Sequence, residues 1–376
     1  NVLFIGTEFG MYFSMDAGAS WRKFNKVPTI PIRDLEIHEG EDDLVAASFG
    51  RGFYIVDDYS PIREYSRQID GLPAHLFSVK STYQYIVAAP EKTATGHNFF
   101  TSPNPPYGVK LSYYLGNSIL SKFEERQNEE SNKFNKGETI DYPTAKKLED
   151  EAKEKTPKIY LTISDSQGKV VRRISSNKNK GYHEKYWDLR TFSQRNIDDE
   201  NNYSGPLVPP GKYSVHIEKF ENDKLEKLTD SFSFDIIQIG SKSSQEDREK
   251  LYGFQLNFDE LVSLVNELVD EIDQAIEKID GEINKSLNSS SNSNLESLNK
   301  KKGDIMDLKM ILTGTRSLNY ADVFSGSPPS VQRRLGNMSW ELYNTTSKPT
   351  KTHEMTYKIS KEKYDEVLRS FREIMD

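Results

Sequence analysis

Acidic and arginine side chains beside glycine-rich turns are the residues of this chain best suited to chemistry. Glu8, Asp34, Asp57 and Asp58 supply carboxylates, and Glu8, Arg33 and Arg51 flank Gly-rich strand ends. Two carboxylates roughly 5–10 Å apart across a sugar would support glycoside hydrolysis, and the sequence places no such pair. Ion pairs between neighbouring sheets or solvated surface charge account for the same residues, and that reading is preferred. The turn Glu39-Gly40-Glu41-Asp42-Asp43 offers the oxygen ligands that calcium takes. It lacks the D-x-D-x-D-G spacing of a loop site and is read as a solvated turn. The six histidines, at 38, 75, 97, 183, 216 and 353, are scattered. No H-E-x-x-H, G-x-S-x-G or phosphate-loop pattern occurs, and Gly50-Arg51-Gly52 runs into a strand pattern instead of a helix. Cysteine is absent, which excludes disulfide scaffolds, thiolate metal sites and cysteine nucleophiles. No catalytic residue, cofactor or metal ligand is expected.

One octapeptide has a defined pattern. Ser14-Met15-Asp16-Ala17-Gly18-Ala19-Ser20-Trp21 fits S-x-D-x-G-x-[ST]-W at every defined position. Its physics is that of a tight turn: Asp16 accepts from amides just downstream, Gly18 takes a positive φ, and Trp21 packs beneath.

The elements that would position these residues are strands. Val2 to Ile5, Gly10 to Ser14, Ile32 to Ile37, Leu44 to Ser48 and Phe53 to Val56 are short apolar runs with turn residues every 8–12 positions, the pattern of antiparallel sheet. Residues 66–105 read as an irregular connector, with Leu72–Phe77 and Tyr83–Val87 as short strands or packing segments. Val109 to Leu115, Lys158 to Ile163, Val170 to Ile174, Gly181 to Arg190, Val208 to Ile217 and Leu228 to Ile237 read as the strands of a β-sandwich. It is interrupted at 117–157 by a charged, exposed insertion. Trp187 and Tyr213 sit in alternating strand pattern, so core packing is preferred over a sugar-stacking role. After residue 241 the period changes to that of helices. Leu261, Val265, Leu268, Ile272, Ala275 and Ile279 form one stripe, and Leu295, Leu298, Ile305, Leu308 and Leu312 form a second. Pro328-Pro329 opens a third helix with Val331, Leu335, Met338 and Leu342. A fourth carries Met355, Ile359, Val367, Phe371 and Met375. Four apolar faces suit a closed bundle.

The octapeptide resembles the Asp-box of BNR-type β-propellers. Gly6-Thr7-Glu8-Phe9-Gly10 before it, Pro31-Ile32-Arg33-Asp34 after it and Ser48 to Asp58 at the end extend the likeness over the segment. The set resembles the last blade of large bacterial sortilin-like proteins, often labelled "glycosyl hydrolase, BNR repeat". This chain carries Phe49 where those proteins usually carry His. Asp165-x-x-Gly168-x-Val170-x-Arg172, Trp187-Asp188 and Pro209-Pro210-Gly211-Lys212-Tyr213 are similar to the Ig-like domain of flagellar hook-capping proteins.

The expected architecture is mainly β plus α. Residues 1–65 form a last propeller blade, 66–105 a connector, 106–240 an Ig-like sandwich and 241–376 a helical bundle. A lone four-stranded blade cannot bury a core, and residue 1 falls in a strand already under way, so the chain is read as the C-terminal part of a longer protein. The resemblance implies a structural role for Ser14, Asp16, Gly18, Ser20 and Trp21, with Glu8, Arg33, Asp34 and Arg51 at a propeller mouth. It implies an exported, extracytoplasmic bacterial protein whose partners are the remaining blades and a protein or glycan ligand. This portion would be non-catalytic, capping the propeller and presenting binding surfaces. Rival readings are accessory domains of a glycoside hydrolase whose acids lie upstream, and a sortilin-like peptide receptor. A net charge of −8 argues against a nucleic-acid partner, and no run reaches the roughly 20 apolar residues of a membrane span.

Overall fold

The computed structural model describes residues 2–65, 68–87, 103–192, 204–288, 294–314 and 329–376. The parts of the expected connector at 66–67 and 88–102, including His97, lie outside them, as do Pro328 and residues 289–293 of the Ser/Asn loop. The chain divides into two compact units: Asn1–Tyr83 with Glu91–Asp188 and Gly211–Ile237, and Gln84–Pro90 with Leu189–Pro210 and Gln238–Asp376. This division differs from the boundaries read from the sequence: the first segment clusters with most of the sandwich, and the described residues 189–192 and 204–210 fall with the helices.

The first unit begins with β1 (Leu3–Thr7), β2 (Gly10–Ser14) and β3 (Arg22–Lys23), joined antiparallel in one sheet. A second antiparallel sheet follows, of β4 (Ile32–His38), β5 (Asp43–Ser48) and β6 (Phe53–Val56). The five longer strands match the alternation of the sequence, whereas β3 is too short to show a period. The segment is therefore two three-stranded sheets and not one four-stranded blade. Pro28 and Pro31 lie between β3 and β4 and have no amide hydrogen for a continuous ladder. The sheets share a core of Met11, Phe24, Val27, Ile32, Leu44 and Ala46. Their approach depends on Gly6, where a Cβ would lie 2.7 Å from Ile32 Cγ2. Register then assigns the opposite faces. Ile5 stands opposite Tyr12 and Leu3 opposite Ser14, while Ile55 stands opposite Val45 and Phe53 opposite Ala47. Leu3, Ile5, Phe53 and Ile55 point away from the shared core and are exposed.

A short helix α1 (Ser60–Glu64) leads to β7 (Ala74–Leu76) and β8 (Thr82–Gln84), then β9 (Val109–Leu115). The charged insertion is helical and exposed. It forms α2 (Lys122–Asn135) and α3 (Ala145–Lys153), neither with a buried residue. A capping box at Ser121 and Glu124 starts α2, and Arg126 grips Glu151 of α3 through Nε at 2.7 Å and Nη2 at 2.8 Å. Then come β10 (Lys158–Asp165), β11 (Val170–Ser176) and β12 (Gly181–Trp187). Next are β13 (Arg190–Phe192) and β14 (Ser204–Leu207), which belong to the other unit, and β15 (Gly211–Glu221), β16 (Lys224–Lys227) and β17 (Phe232–Gln238). One sheet runs β11-β10-β15-β17-β8 with β16 on β15, and another runs β12-β9-β7. They face each other through Trp187, whose ring meets Tyr213 edge-on at 5.7 Å and Phe234 at 6.3 Å. Trp187 and Tyr213 are buried, which removes them as a stacking platform.

In the second unit β13 pairs with β14, and four helices follow: α4 (Gln245–Leu287), α5 (Leu295–Thr313), α6 (Val331–Tyr343) and α7 (Lys351–Met375). Their stripes meet in one core that includes Phe258, Val265, Ile272, Ile305, Leu342 and Val367. Polar bonds tie in the remaining pieces. Arg248 on α4 donates to Gln84 Oε1 at 2.6 Å, and Gln84 Nε2 donates to the Val208 carbonyl at 2.7 Å. The register of α7 differs from expectation. Its buried positions are His353, Ser360, Tyr364, Val367 and Phe371, while Met355 is exposed. The inward stripe begins on polar residues, which hydropathy alone passes over. Among the described residues no helix is long and apolar enough to cross a membrane.

Candidate functional site

The octapeptide folds into a turn that uses up its own polar groups. Ser14 Oγ donates to Asp16 Oδ1 at 2.8 Å and accepts from the Gly18 amide at 2.8 Å. Ser20 donates its amide to Asp16 Oδ1 at 2.8 Å and its hydroxyl to Oδ2 at 2.5 Å. Ser20 first, through both groups, and then Ser14 hold the Asp16 carboxyl well below the usual carboxylate range. Gly18 sits at φ +94°, and a Cβ there would stand 3.9 Å from the Trp21 ring. Trp21 flanks the turn and is 42% exposed, so it is not packed away beneath it. A carboxylate that takes three donors from its own turn is a structural device.

Of the four charged residues expected at a mouth, two meet directly. Arg33 Nη1 on β4 lies 2.8 Å from Glu8 Oε1 in the β1–β2 turn, so the pair links the first two sheets. The Arg33 guanidinium also lies 5.1 Å from the centre of the exposed Phe49 ring. Asp34 accepts the amide of Leu35 at 3.0 Å. Arg51 is exposed in the tight β5–β6 turn between Gly50 and Gly52, both at positive φ, and is not joined to the others. The acidic turn is held by cations instead of forming a cage: Asp42 binds Arg63 at 2.5 Å and Lys80 at 3.0 Å. Among the described residues no group of three or more His, Asp or Glu side chains is placed to hold a metal ion.

The structure adds a site that the sequence reading passed over. A cleft of about 470 Å³ opens within the first unit, walled by Phe24 and Tyr54, by Tyr59 after β6, by Phe77, and by Tyr182 and Tyr186 on β12. Strand alternation places Tyr182, Glu184 and Tyr186 on one face of β12, opposite Tyr114, Ser112 and Lys110 of β9. That period-2 spacing of Tyr, Glu and Tyr was the available signal. The partners across the cleft are distant in sequence and had none. Tyr182 donates its hydroxyl to Glu184 Oε1 at 2.7 Å. Lys110 Nζ lies 3.2 Å from the same carboxylate and 3.8 Å from Asp58, and Lys26 lies 3.5 Å from Glu184 Oε2.

These contacts sort the titratable groups. Burial alone would raise Glu184, but the Tyr182 hydroxyl and the Lys110 and Lys26 ammoniums outweigh it and hold the carboxyl below its ordinary value. Asp57 is pushed up, first by burial and then by the charge of Asp43. Tyr186 is raised by burial and by Glu184, Asp57 and Asp58 around it. Among the described residues its hydroxyl has no hydrogen-bond partner. The cleft therefore combines aromatic walls with a paired carboxylate, a carboxyl of raised affinity for protons and an unused phenol.

The chain finds no match among protein-family models, curated proteins or solved structures.

Proposed function

We propose that this chain is a non-catalytic capping and binding region of a sortilin-like, BNR-type propeller protein. In this reading the first two sheets are neighbouring parts of a propeller, the next β region is an Ig-like domain, and the helices form a terminal bundle. The observation that carries the proposal is the outward face of each N-terminal sheet. Leu3 and Ile5 on β1, and Phe53 and Ile55 on β6, alternate along edge strands and stay exposed. Sheets that pack on one face and keep a second apolar face are suited to being stacked between others of their kind. Glu8, Arg33, Asp34 and Arg51 fall near strand ends and turns, where a propeller presents its mouth to a protein or glycan. The extracytoplasmic setting rests on the family resemblance.

The test is self-association. The chain alone should bind a hydrophobic dye and form concentration-dependent oligomers by analytical ultracentrifugation. Leu3→Lys, Ile5→Lys and Phe53→Lys together should abolish both and leave circular dichroism unchanged. A monodisperse, dye-silent wild type sinks the proposal.

A further inference from the structure

The tyrosine-walled cleft is lined by residues of the first unit alone. We infer that it is a binding site for a neutral oligosaccharide. The volume, about 470 Å³, lies within the range of small-ligand sites, roughly 300–1,000 Å³. Its wall is amphipathic in the way a sugar is. Aromatic faces at Tyr54, Tyr182 and Tyr186 suit the C–H faces of pyranose rings, and phenol, carboxylate and ammonium groups suit the hydroxyl edges.

Charge narrows the ligand class. Four of the wall's ions form pairs across it: Lys110 with Asp58 and Glu184, and Lys26 with Glu184. Over the lining, Arg22, Lys23, Lys26 and Lys110 stand against Asp57, Asp58 and Glu184, so charge is close to balanced and neither an anion nor a cation is strongly selected. A purely apolar ligand would strand the polar groups of the wall without partners, at a desolvation cost. A neutral polyol satisfies both constraints. Tyr186 adds a hydroxyl with no hydrogen-bond partner among the described residues, and Glu184 presents a carboxylate held in place by Tyr182, Lys110 and Lys26. Tyr182 is 42% exposed and anchored at its hydroxyl, 2.7 Å from Glu184 and 3.1 Å from Ser112 Oγ, which leaves its ring presented in a fixed orientation. Its ring meets Phe77 edge-on at 5.7 Å, so a buried side chain braces it.

The experiment is isothermal titration of the whole chain with cellotriose, maltotriose, xylotriose and chitotriose, with trigalacturonic acid as the charged counterpart. At least one neutral trisaccharide should bind saturably at one site. Tyr182→Ala should weaken it about tenfold, and Tyr186→Phe, which removes only the unused hydroxyl, about fivefold. Unchanged melting temperature shows that the variants fold. Arg51→Ala and Phe49→Ala should leave the affinity unchanged. The inference is overturned if no neutral sugar binds, if trigalacturonic acid binds more tightly, or if both tyrosine variants bind as the wild type does. It is equally overturned if binding is lost in the Arg51 and Phe49 variants, a result that would instead support the propeller-mouth reading. Failure of the self-association test leaves the cleft untouched.

Discussion

Along α4, Leu261, Val265, Leu268 and Ile272 are each at most 3% exposed, whereas Leu3, Ile5, Phe53 and Ile55 on the N-terminal sheets are 41–73% exposed. Both sets are apolar and strictly periodic, so patterning alone does not separate them. Geometry does. A helix has one stripe, and three other helices consume it. A strand has two faces, and the partner sheet consumes only one. The helices bury their stripes against one another, while the first two sheets carry apolar surface that their own neighbours leave exposed.

The largest consequence lies in the helical unit. Phe258 is fully buried, and Phe258→Ala should cost about 3–5 kcal/mol through lost transfer energy and the cavity left behind. Phe53→Ala, the same deletion on an outward face, should change stability by less than about 0.5 kcal/mol. Urea denaturation followed by circular dichroism measures both. Similar losses at the two positions would erase the contrast between the regions.

An intermediate effect belongs to the Asp16 turn, and it depends on pH. The folded carboxyl has a lower affinity for protons than the unfolded one. Its contribution is therefore present above the ordinary aspartate range and is lost as pH falls through the depressed folded value. Asp16→Asn should melt earlier than wild type at neutral pH, and the gap should narrow in strong acid. A gap that is constant with pH would show that the carboxylate charge does not contribute to holding the turn.

Much of this contrast was legible beforehand, for unequal reasons. The five N-terminal strands and the stripes of α4 and α6 follow from local period, because each buries a run of ordinary apolar residues. The N-terminal half of α7 escapes a hydropathy reading because His353 and Ser360 occupy inward positions. His353 is held there by Glu341 at 2.9 Å and by the cap at Thr350. The split into two sheets depends on Pro28 and Pro31, whose effect on a ladder is clear only once the pairing is known. The Glu8–Arg33 contact joins residues of expected interest through a register that no local pattern encodes. The cleft was missed for the same reason. Tyr182, Glu184 and Tyr186 were readable as one face of a strand, but Lys110 and Asp58 reach them only through tertiary packing.

The smallest expected effect offers the sharpest reading of the outward surface. Glu8 and Arg33 are 59% and 55% exposed at the side chain, so their attraction is screened and their ordering costs rotamer entropy. A double-mutant cycle with Glu8→Gln and Arg33→Met should give a coupling below about 1 kcal/mol, falling further in salt. The stack of Arg33 on Phe49 adds a similar small amount that the cycle leaves out, because Glu8→Gln does not disturb it. If the same cycle, repeated with further sheets stacked against these faces, returned a larger and salt-resistant coupling, the pair would have been desolvated by its new neighbours. An unchanged value would mean that the sheets meet elsewhere and that the exposed apolar faces are not their contact.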